Sequence, residues 1–205
     1  MKKVNILNSD FFNRDTLTVA KELPGKNIIR NYSGIFLRAK IVEVEAYLGI
    51  NDKASHSYNY RRTKRNEVMY GKAGGIYVYL IYGMYYLLNF VTRDINEPEA
   101  VLIRAVEPLD GINFMAQNRF GDNYRDLTNK RKINLTNGPG KLTKALAIDK
   151  TLNGKDLFSD ELFVEDTNNK EKIFIDKRIG IDYAEEAKDY PYRFYIDNPY
   201  ISKKL

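Results

Sequence analysis

Two carboxylates two residues apart, Glu43 and Glu45, lie in the apolar segment 35–47, IFLRAKIVEVEAY. If this segment is a strand with regular alternation, both glutamates extend the face that carries Leu37 and Ile41. Apolar surroundings disfavour the charged form of a carboxyl group, and proton transfer at neutral pH needs a carboxyl tuned in this way. The alternative interpretation is that one or both glutamates pair with a cation and serve the structure.

Two β-rich runs, 75–82 and 85–92, lie on either side of Gly83 and Met84. Glycine between two such runs predicts a β-hairpin with a tight turn. Tyr82 would then stand at the tip, where an aromatic ring is costly to leave in water. Proteins that open a nucleic-acid duplex insert apolar or aromatic side chains between base steps. The alternative is that Tyr82 packs on a neighbouring element.

Polar side chains interrupt the apolar strands around this hairpin. Tyr77 and Tyr79 share one face of the first run, Asn89 lies among apolar residues of the second, and Arg104 interrupts the strand-like run 100–106. A buried amide needs a hydrogen-bond partner unless it lines a pocket. Arginine inside a strand is rarely unpaired, and either of the two glutamates described above could be its partner.

A strongly basic window follows the single histidine, His56, which is of interest only through its neighbours. The cations of this window, set against the one acid Glu67, are Arg61, Arg62, Lys64, Arg65 and Lys72. Such a window suits contacts to phosphate groups, although a solvated loop explains it equally well. Farther along, Gly138-Pro139-Gly140 precedes a helix-like run, where Lys141 could help to hold a phosphate or belong to a plain turn.

Composition narrows the chemistry. The 205 residues carry a net charge of +6, with no cysteine and one histidine. This excludes a disulfide scaffold, a thiol nucleophile, and zinc sites built from cysteine or from several histidines. No apolar run approaches the ~18 residues of a membrane span, and no repeat or linker divides the chain. We therefore expect a cytoplasmic protein without metal or cofactor, folded as a single domain over residues 1–205.

The secondary-structure elements that position these residues include both helices and strands. Helices are predicted over 14–23, 110–120 and 140–148, the first of them capped by Asn13. Strands are predicted over 35–47, 75–82, 85–92 and 100–106, with further short strands in the tail, and 121–134 is predicted as a loop. Strands that follow one another in hairpins favour an α+β fold over a doubly wound parallel sheet.

In chain order, these segments resemble the alkyladenine DNA glycosylase family, the mammalian-type 3-methyladenine DNA glycosylases. The segments that carry the resemblance are VEVEAYLG (42–49), ASHS (54–57), RRTKRN (61–66), GIYVYLIYGMYYLLN (75–89), LIRAVEPLDG (102–111), LTNGPGKL (135–142) and PYRFY (191–195). The resemblance implies a single mixed domain with a curved, mainly antiparallel sheet and flanking helices. It also implies a protruding hairpin that inserts into the minor groove of DNA.

The resemblance implies a role for each motif residue in catalysis and DNA binding. Glu45 matches the general base that activates a water molecule, and Arg104 matches the residue that helps to position this water. Tyr82 matches the wedge that fills the gap left by an extruded nucleotide. With the basic window, the DNA-binding residues are then Tyr82, Arg61, Arg62, Lys64, Arg65 and Lys141.

The same resemblance implies how the extruded base is held. Tyr47 matches the aromatic residue on one side of the base, and His56 and Tyr79 match the pair on the opposite side. Tyr77 is expected to support this pocket. Asn89 matches the residue that crowds the amino group of guanine and selects against it.

The activity implied is that of a monofunctional DNA N-glycosylase that starts base excision repair. It would act as a cytoplasmic, nucleoid-associated monomer on double-stranded DNA containing alkylated or deaminated purines, without cofactor, membrane or obligate protein partner. The sequence leaves open the ranking of 3-methyladenine, 7-methylguanine, hypoxanthine and ethenoadenine. Three other interpretations are a non-catalytic nucleic-acid binding module, a glycosidase of free nucleosides, and a structural protein with Tyr82 in an interface.

Overall fold

An antiparallel sheet organises the part of the chain that the computed structural model describes, residues 5–167 and 171–202. Its strands are β1 (Asn27–Tyr32), β2 (Ile35–Tyr47), β3 (Ile76–Ile81), β4 (Tyr85–Thr92), β5 (Glu99–Asp110), β6 (Leu162–Glu165), β7 (Phe174–Asp176) and β8 (Arg193–Tyr195). The α-helices of this part are α1 (Ser9–Phe12), α2 (Thr16–Glu22), α3 (Ile112–Phe120), α4 (Asn129–Ile133) and α5 (Pro139–Ala145). Short 3₁₀ turns lie at Gly49–Asn51, Tyr58–Tyr60, Glu67–Tyr70, Tyr124–Asp126, Lys150–Leu152 and Glu185–Asp189.

The long strand β2 is the centre of the sheet. The main path runs β3-β4-β5-β2-β1-β6, and β8 pairs with both β2 and β7. One edge of β2 pairs with β5 along most of its length, whereas the other edge is divided between β1 and β8. The sheet curls around this branch point. The structure confirms the predicted α+β class, with a curled antiparallel sheet and few helices.

Helices cover one face of the sheet and build the main core there. Phe12 of α1, Val19 of α2, Met115 of α3 and Leu142 of α5 pack against the same side of the strands. Because the helices pack on this side, the opposite face of the sheet is left to side chains and loops that do not belong to the main core.

No helix in the described ranges is long and apolar enough to cross a membrane.

Two β-bulges, one in each strand, flank the Glu43–Ala105 pair where β2 pairs with β5. The Cα partners across this region are Ile41 with Val106, Glu43 with Ala105, Val44 with Ile103 and Glu45 with Leu102. Val42 is therefore an extra residue in β2, and Arg104 is an extra residue in β5. Because each strand gains one residue, the two strands leave this region with the register they had before it.

The bulges overturn the prediction that Glu43 and Glu45 continue the apolar face of Leu37 and Ile41. Beyond the extra residue, the core position falls on Val44, so both glutamates turn to the opposite face. Bulges re-aim side chains in this way and are frequent beside functional sites. The apolar composition of the segment does not reveal the extra residue, because valine suits either face.

Local predictions at the helix ends and in one loop also need correction. The N-cap of α2 is Asp15, whose carboxylate accepts a hydrogen bond from the Thr18 amide at 2.8 Å, and not Asn13. The segment 121–134 is not a plain loop, because it holds a 3₁₀ turn and α4, which begins after the capping residue Thr128. Strand β1 was not predicted, whereas the strand over 35–47 and the two hairpin strands are confirmed.

Candidate active site

A cavity of about 510 Å³ opens on the face of the sheet opposite the main core, and the N-terminal end of α5 lies at its rim. It forms there because the side chains of β3, β4 and β5 that alternate with core residues point into it. The predicted site residues that line it are Tyr47, His56, Arg65, Tyr77, Tyr79, Tyr82, Asn89, Arg104 and Lys141. Glu45 lies beside the cavity, whereas Arg61, Arg62 and Lys64 are not part of its lining. The structure thus brings most of the predicted residues to one place.

Glu45 is a fully buried carboxylate with three hydrogen-bond donors. Its Oε1 accepts from the backbone amide of Ile179 at 2.7 Å, and its Oε2 accepts from the Tyr47 hydroxyl at 3.0 Å and from Arg104 Nη1 at 3.3 Å. Burial raises the pKa of Glu45, and Arg104 and the Ile179 amide oppose that rise. The result is a carboxylate that is more basic than usual and can accept a proton at the edge of the cavity.

The neighbouring carboxylate, Glu43, is committed to the structure. It accepts hydrogen bonds from Arg193 Nε and from the Ser202 amide, both at 2.6 Å. Arg104 Nε lies 3.3 Å from Glu43 Oε1, so this arginine pairs with both glutamates of β2. The structural interpretation therefore applies to Glu43, and only Glu45 is placed beside the cavity.

Three aromatic rings form one wall of the cavity. The ring centroids of His56 and Tyr79 lie 4.6 Å apart, and those of Tyr77 and Tyr79 lie 5.2 Å apart. His56 Nδ1 forms a hydrogen bond of 2.9 Å with the Tyr77 hydroxyl. Burial, with the charges of Arg65 and Arg61, lowers the pKa of His56 to about 4, so this ring is neutral at pH 7. Electron-rich faces of this kind stack on flat rings and attract cations.

Two further predicted residues complete the polar and aromatic lining. Tyr47, the last residue of β2, is half-buried, and the guanidinium of Arg178 lies 4.8 Å from the centre of its ring. Asn89 is buried opposite Tyr77 in the hairpin and donates from Nδ2 to the Tyr77 carbonyl at 3.2 Å. The hairpin register therefore places the carboxamide next to the aromatic wall.

The tip of the hairpin exposes Tyr82, a residue that is 84% accessible to solvent. The Met84 amide donates to the Ile81 carbonyl at 3.2 Å, and Tyr82 and Gly83 have φ angles of +52° and +68°. This is a type I′ turn, in which glycine or asparagine is favoured at both central positions. A left-handed conformation costs a residue such as tyrosine about 1–2 kcal/mol. The alternative that Tyr82 packs on a neighbouring element is therefore wrong. With its strained backbone and exposed ring, Tyr82 is a candidate contact residue.

Some cations of the basic window have partners within the protein, and others have no carboxylate within ion-pair distance. Arg65 donates to the Leu80 carbonyl at 3.1 Å and lies over the Tyr79 ring, so it belongs to the cavity wall. Arg62 forms an ion pair of 2.6 Å with Glu67. Arg61, Lys64 and Lys72 are exposed, and no carboxylate in the described part of the chain lies within ion-pair distance of any of them. Lys72 lines a separate pocket together with Asp10 and Asp94, so Arg61 and Lys64 are the candidates for a phosphate partner.

The Gly-Pro-Gly segment has a packing role beside the hairpin. Helix α5 begins at Pro139 after the N-cap Gly138. A Cβ atom on Gly140 would lie 2.8 Å from the Cβ of Tyr85, so glycine allows α5 to approach the hairpin closely. Lys141, at the cavity rim, donates from Nζ to the side-chain oxygens of Asn134 and Asn137.

Residues that the sequence analysis did not single out come from the segment after β7. Ile179 supplies the amide that binds Glu45, Arg178 lies against Tyr47, and Tyr183 lines the cavity. The one signal in this stretch is an arginine followed by an apolar residue. This pattern is too common to identify the stretch as part of a site. Across the described ranges, no group of three or more histidine, aspartate or glutamate side chains is placed to hold a metal ion.

Comparison with known proteins gives two further findings. The sequence profile of the family described as "Methylpurine-DNA glycosylase" matches residues 10–199. A relative from Desulfitobacterium hafniense is 54% identical over 200 residues, which cover 97% of this chain and 98% of the relative. A relative from Clostridium perfringens strain SM101 is 53% identical over 203 residues, covering 97% and 99% of the two chains. Both relatives carry the name "Putative 3-methyladenine DNA glycosylase".

Proposed function

The chain belongs to the methylpurine-DNA glycosylase family, and on that premise we propose that it is a monofunctional 3-methyladenine DNA glycosylase that acts on damaged purines in duplex DNA. As a DNA glycosylase it is a hydrolase of N-glycosyl bonds. A base inside a duplex cannot be reached by a buried carboxylate, so the nucleotide leaves the stack and its base enters the cavity. Tyr82 fills the gap, and the enzyme works as a monomer without a cofactor.

The proposed reaction uses one carboxylate and one water molecule. Glu45 takes a proton from the water, whose oxygen forms a bond to C1′ of the sugar while the C1′–N bond breaks. The electron pair of that bond goes to the purine, so that a cationic N-methylated purine leaves as a neutral base. Arg104, which is bound to Glu45, positions the water, and the product is an abasic site.

The observation that carries this proposal is a single available carboxylate beside an aromatic cavity. Most glycosidases use two carboxyl groups, one of which protonates the leaving group. Here Glu43 is held by Arg193 and by the Ser202 amide, and His56, with its pKa lowered to about 4, carries no proton to give at pH 7. A leaving group that is already cationic, such as 3-methyladenine, needs no acid.

The cavity lining supports recognition of such a base. The faces of Tyr47, His56 and Tyr79 are available for stacking, which is worth about 1–3 kcal/mol per base. A positively charged purine gains a further cation–π attraction of about 0.5–2 kcal/mol from the same rings. We assign to Tyr77 the support of this wall, and to Asn89 the crowding of a 2-amino group.

The proposal is tested by single-turnover base release from duplexes that contain methylated purines or hypoxanthine. Release of methylated purines is expected to rise with pH as Glu45 ionises, through its raised pKa, and then to level off. Hypoxanthine, which must be protonated to leave, is expected to be released about 100-fold more slowly, the usual contribution of general acid catalysis. Equal rates for both lesions would contradict a site without an acid, and a borohydride-trapped adduct would contradict the monofunctional mechanism.

The free cations of the basic window give a second expected result. Binding of duplex DNA weakens as the salt concentration rises. The slope of the logarithm of the binding constant against the logarithm of the salt concentration changes by about 0.9 for each phosphate contact that is lost. The double variant Arg61→Ala/Lys64→Ala is expected to reduce the slope by about 1.8, as measured by fluorescence anisotropy over a salt series. Arg62→Ala is the matched control: because Glu67 already neutralises this arginine, its slope should stay close to wild type. Unchanged slopes in both variants would exclude the window from the DNA contact.

A further inference from the structure

A buried ion pair between Arg178 and Asp52 lies behind the cavity. The side chains are 0% and 1% exposed, and the guanidinium forms two parallel hydrogen bonds, from Nη1 to Oδ2 at 2.5 Å and from Nη2 to Oδ1 at 2.8 Å. Arg178 also donates to the carbonyls of Ala46 at 2.9 Å and Ala187 at 3.1 Å. A planar, bidentate arrangement of this kind fixes the orientation of both partners.

Each end of this ion pair is connected to a part of the site. The guanidinium lies 4.8 Å from the centre of the Tyr47 ring, and the next residue, Ile179, donates its amide to Glu45 at 2.7 Å. Asp52 accepts from the amides of Leu48 and Ala54, both at 3.0 Å, and so shapes the loop that leads from Tyr47 to His56. One pair of side chains thus touches the supports of the general base and of both aromatic sides.

Stability alone is a weak reason for such a pair. Removing two charges from water is costly, and well-packed apolar residues in place of a buried ion pair are often neutral or stabilising. We infer that Arg178 and Asp52 are positioning residues, which hold the Ile179 amide on Glu45 and the Tyr47 ring in the orientation that the reaction requires. This inference rests on the proposed function for its link to base release.

The consequence for Glu45 follows from the sign of each interaction. A hydrogen bond donated to a carboxylate favours its charged form, so loss of the Ile179 bond raises the pKa of Glu45 further. Because the base must be ionised, the acid limb of the rate profile then moves to higher pH. The titratable and charged groups that act on Glu45 or are acted on by it are Arg104, Glu43, Tyr47, Arg178, Tyr79 and Tyr183.

Arg178→Lys is the informative substitution, because it keeps the positive charge and removes the planar, bidentate geometry. We expect its single-turnover base release to fall about 100-fold at the plateau, the cost of a displacement of about 1 Å in a positioned group, with the acid limb at higher pH than in wild type. Asp52→Asn removes the pair from the other side and should change the same two quantities. Arg30→Lys is the control, since Arg30 is a buried arginine, 7% exposed, that pairs with Glu161 away from the cavity.

A second readout does not depend on activity. The carboxyl carbon of Glu45, labelled with ¹³C and assigned by its absence in Glu45→Gln, is titrated by NMR in each variant. Higher pKa values of Glu45 in Arg178→Lys and Asp52→Asn, but not in Arg30→Lys, support the inference, and values equal to wild type overturn it. If Arg178→Lys does not fold, Asp52→Asn decides. If the wild type releases no base while the Glu45 titration still moves, the proposed function fails and the positioning of Glu45 stands.

Discussion

Glu45→Gln is expected to reduce base release from a methylated duplex about 1,000-fold, within the range that a general base contributes. Glutamine keeps the volume of the side chain and an oxygen for the Ile179 amide, but it cannot accept a proton from water. The rate is measured under single turnover, with binding of undamaged duplex measured in parallel. Base release by the wild-type protein, together with its loss in Glu45→Gln, would also exclude the non-catalytic binding module. In such a module this substitution would change no activity.

The Glu45→Gln variant should keep its folding stability while it loses activity. Because the folded-state pKa of Glu45 is raised, its contribution favours the fold at low pH and is lost as pH rises through that value. Glutamine does not ionise, so the variant should be no less stable than wild type at neutral pH in urea unfolding. A misfolded Glu45→Gln protein would instead assign this carboxylate to the structure.

Glu43→Gln is the matched control, two residues away on the same face of β2. Glu43 is fully buried with Arg193, and removal of one partner from such a pair costs about 3–5 kcal/mol. This variant should therefore lose stability and keep most of its base-release rate when it is assayed well below its melting temperature. Equal loss of activity in the two variants would show that the two carboxylates act as a unit.

Tyr82→Ala is expected to slow release of a paired lesion by about 100-fold and to have little effect on a single strand. Unstacking a base step costs a few kcal/mol, which an inserted ring repays only in a duplex. The measurement compares single-turnover rates on the same lesion in the two forms of DNA. Equal losses on both substrates would contradict the role of Tyr82 as a wedge.

Two other substitutions at the hairpin tip separate insertion from folding. Met84→Ala removes a side chain that is also exposed, 67%, from the same turn and should keep the duplex rate. Tyr82→Asn should lose the duplex rate like Tyr82→Ala, yet raise the free energy of unfolding by about 1 kcal/mol, because asparagine tolerates the left-handed conformation. An unchanged unfolding midpoint in Tyr82→Asn would show that the turn relaxes around tyrosine.

The strands around the site could be predicted because their apolar residues recur without interruption and Gly83 marks the turn between two of them. Unusual charges and aromatic side chains in these strands marked Glu43, Glu45, Tyr79 and Arg104 as candidates, but only the family resemblance distinguished Glu45 from Glu43. The pairing of Arg104 with the acidic residues of β2 followed from the rule that buried arginine needs a partner. The structure adds that it contacts both.

Other parts of the site have no signal in the sequence. The Ile179 amide that binds Glu45 is a backbone group, which any residue except proline supplies, and it lies 134 positions from its partner. The ion pair of Arg178 with Asp52 joins two ordinary surface-type residues that only the fold brings together. Helix α4 was missed because residues 129–132 are polar or charged, and the helix contains no buried side chain that would show a helical period.

The paired bulges make the reactive face of the sheet separable from its apolar core. If Val42 and Arg104 were both deleted, Ile41 and Val44 would again stand two positions apart, as would Ile103 and Val106, and the core residues of both strands would alternate across this region. The core does not require either insertion. The two deletions would leave Glu43 and Glu45 on the face opposite the core and would take only Arg104 from it. The cavity would keep its buried carboxylate and lose the cation that pairs with both glutamates, with no compensating change on the helix side.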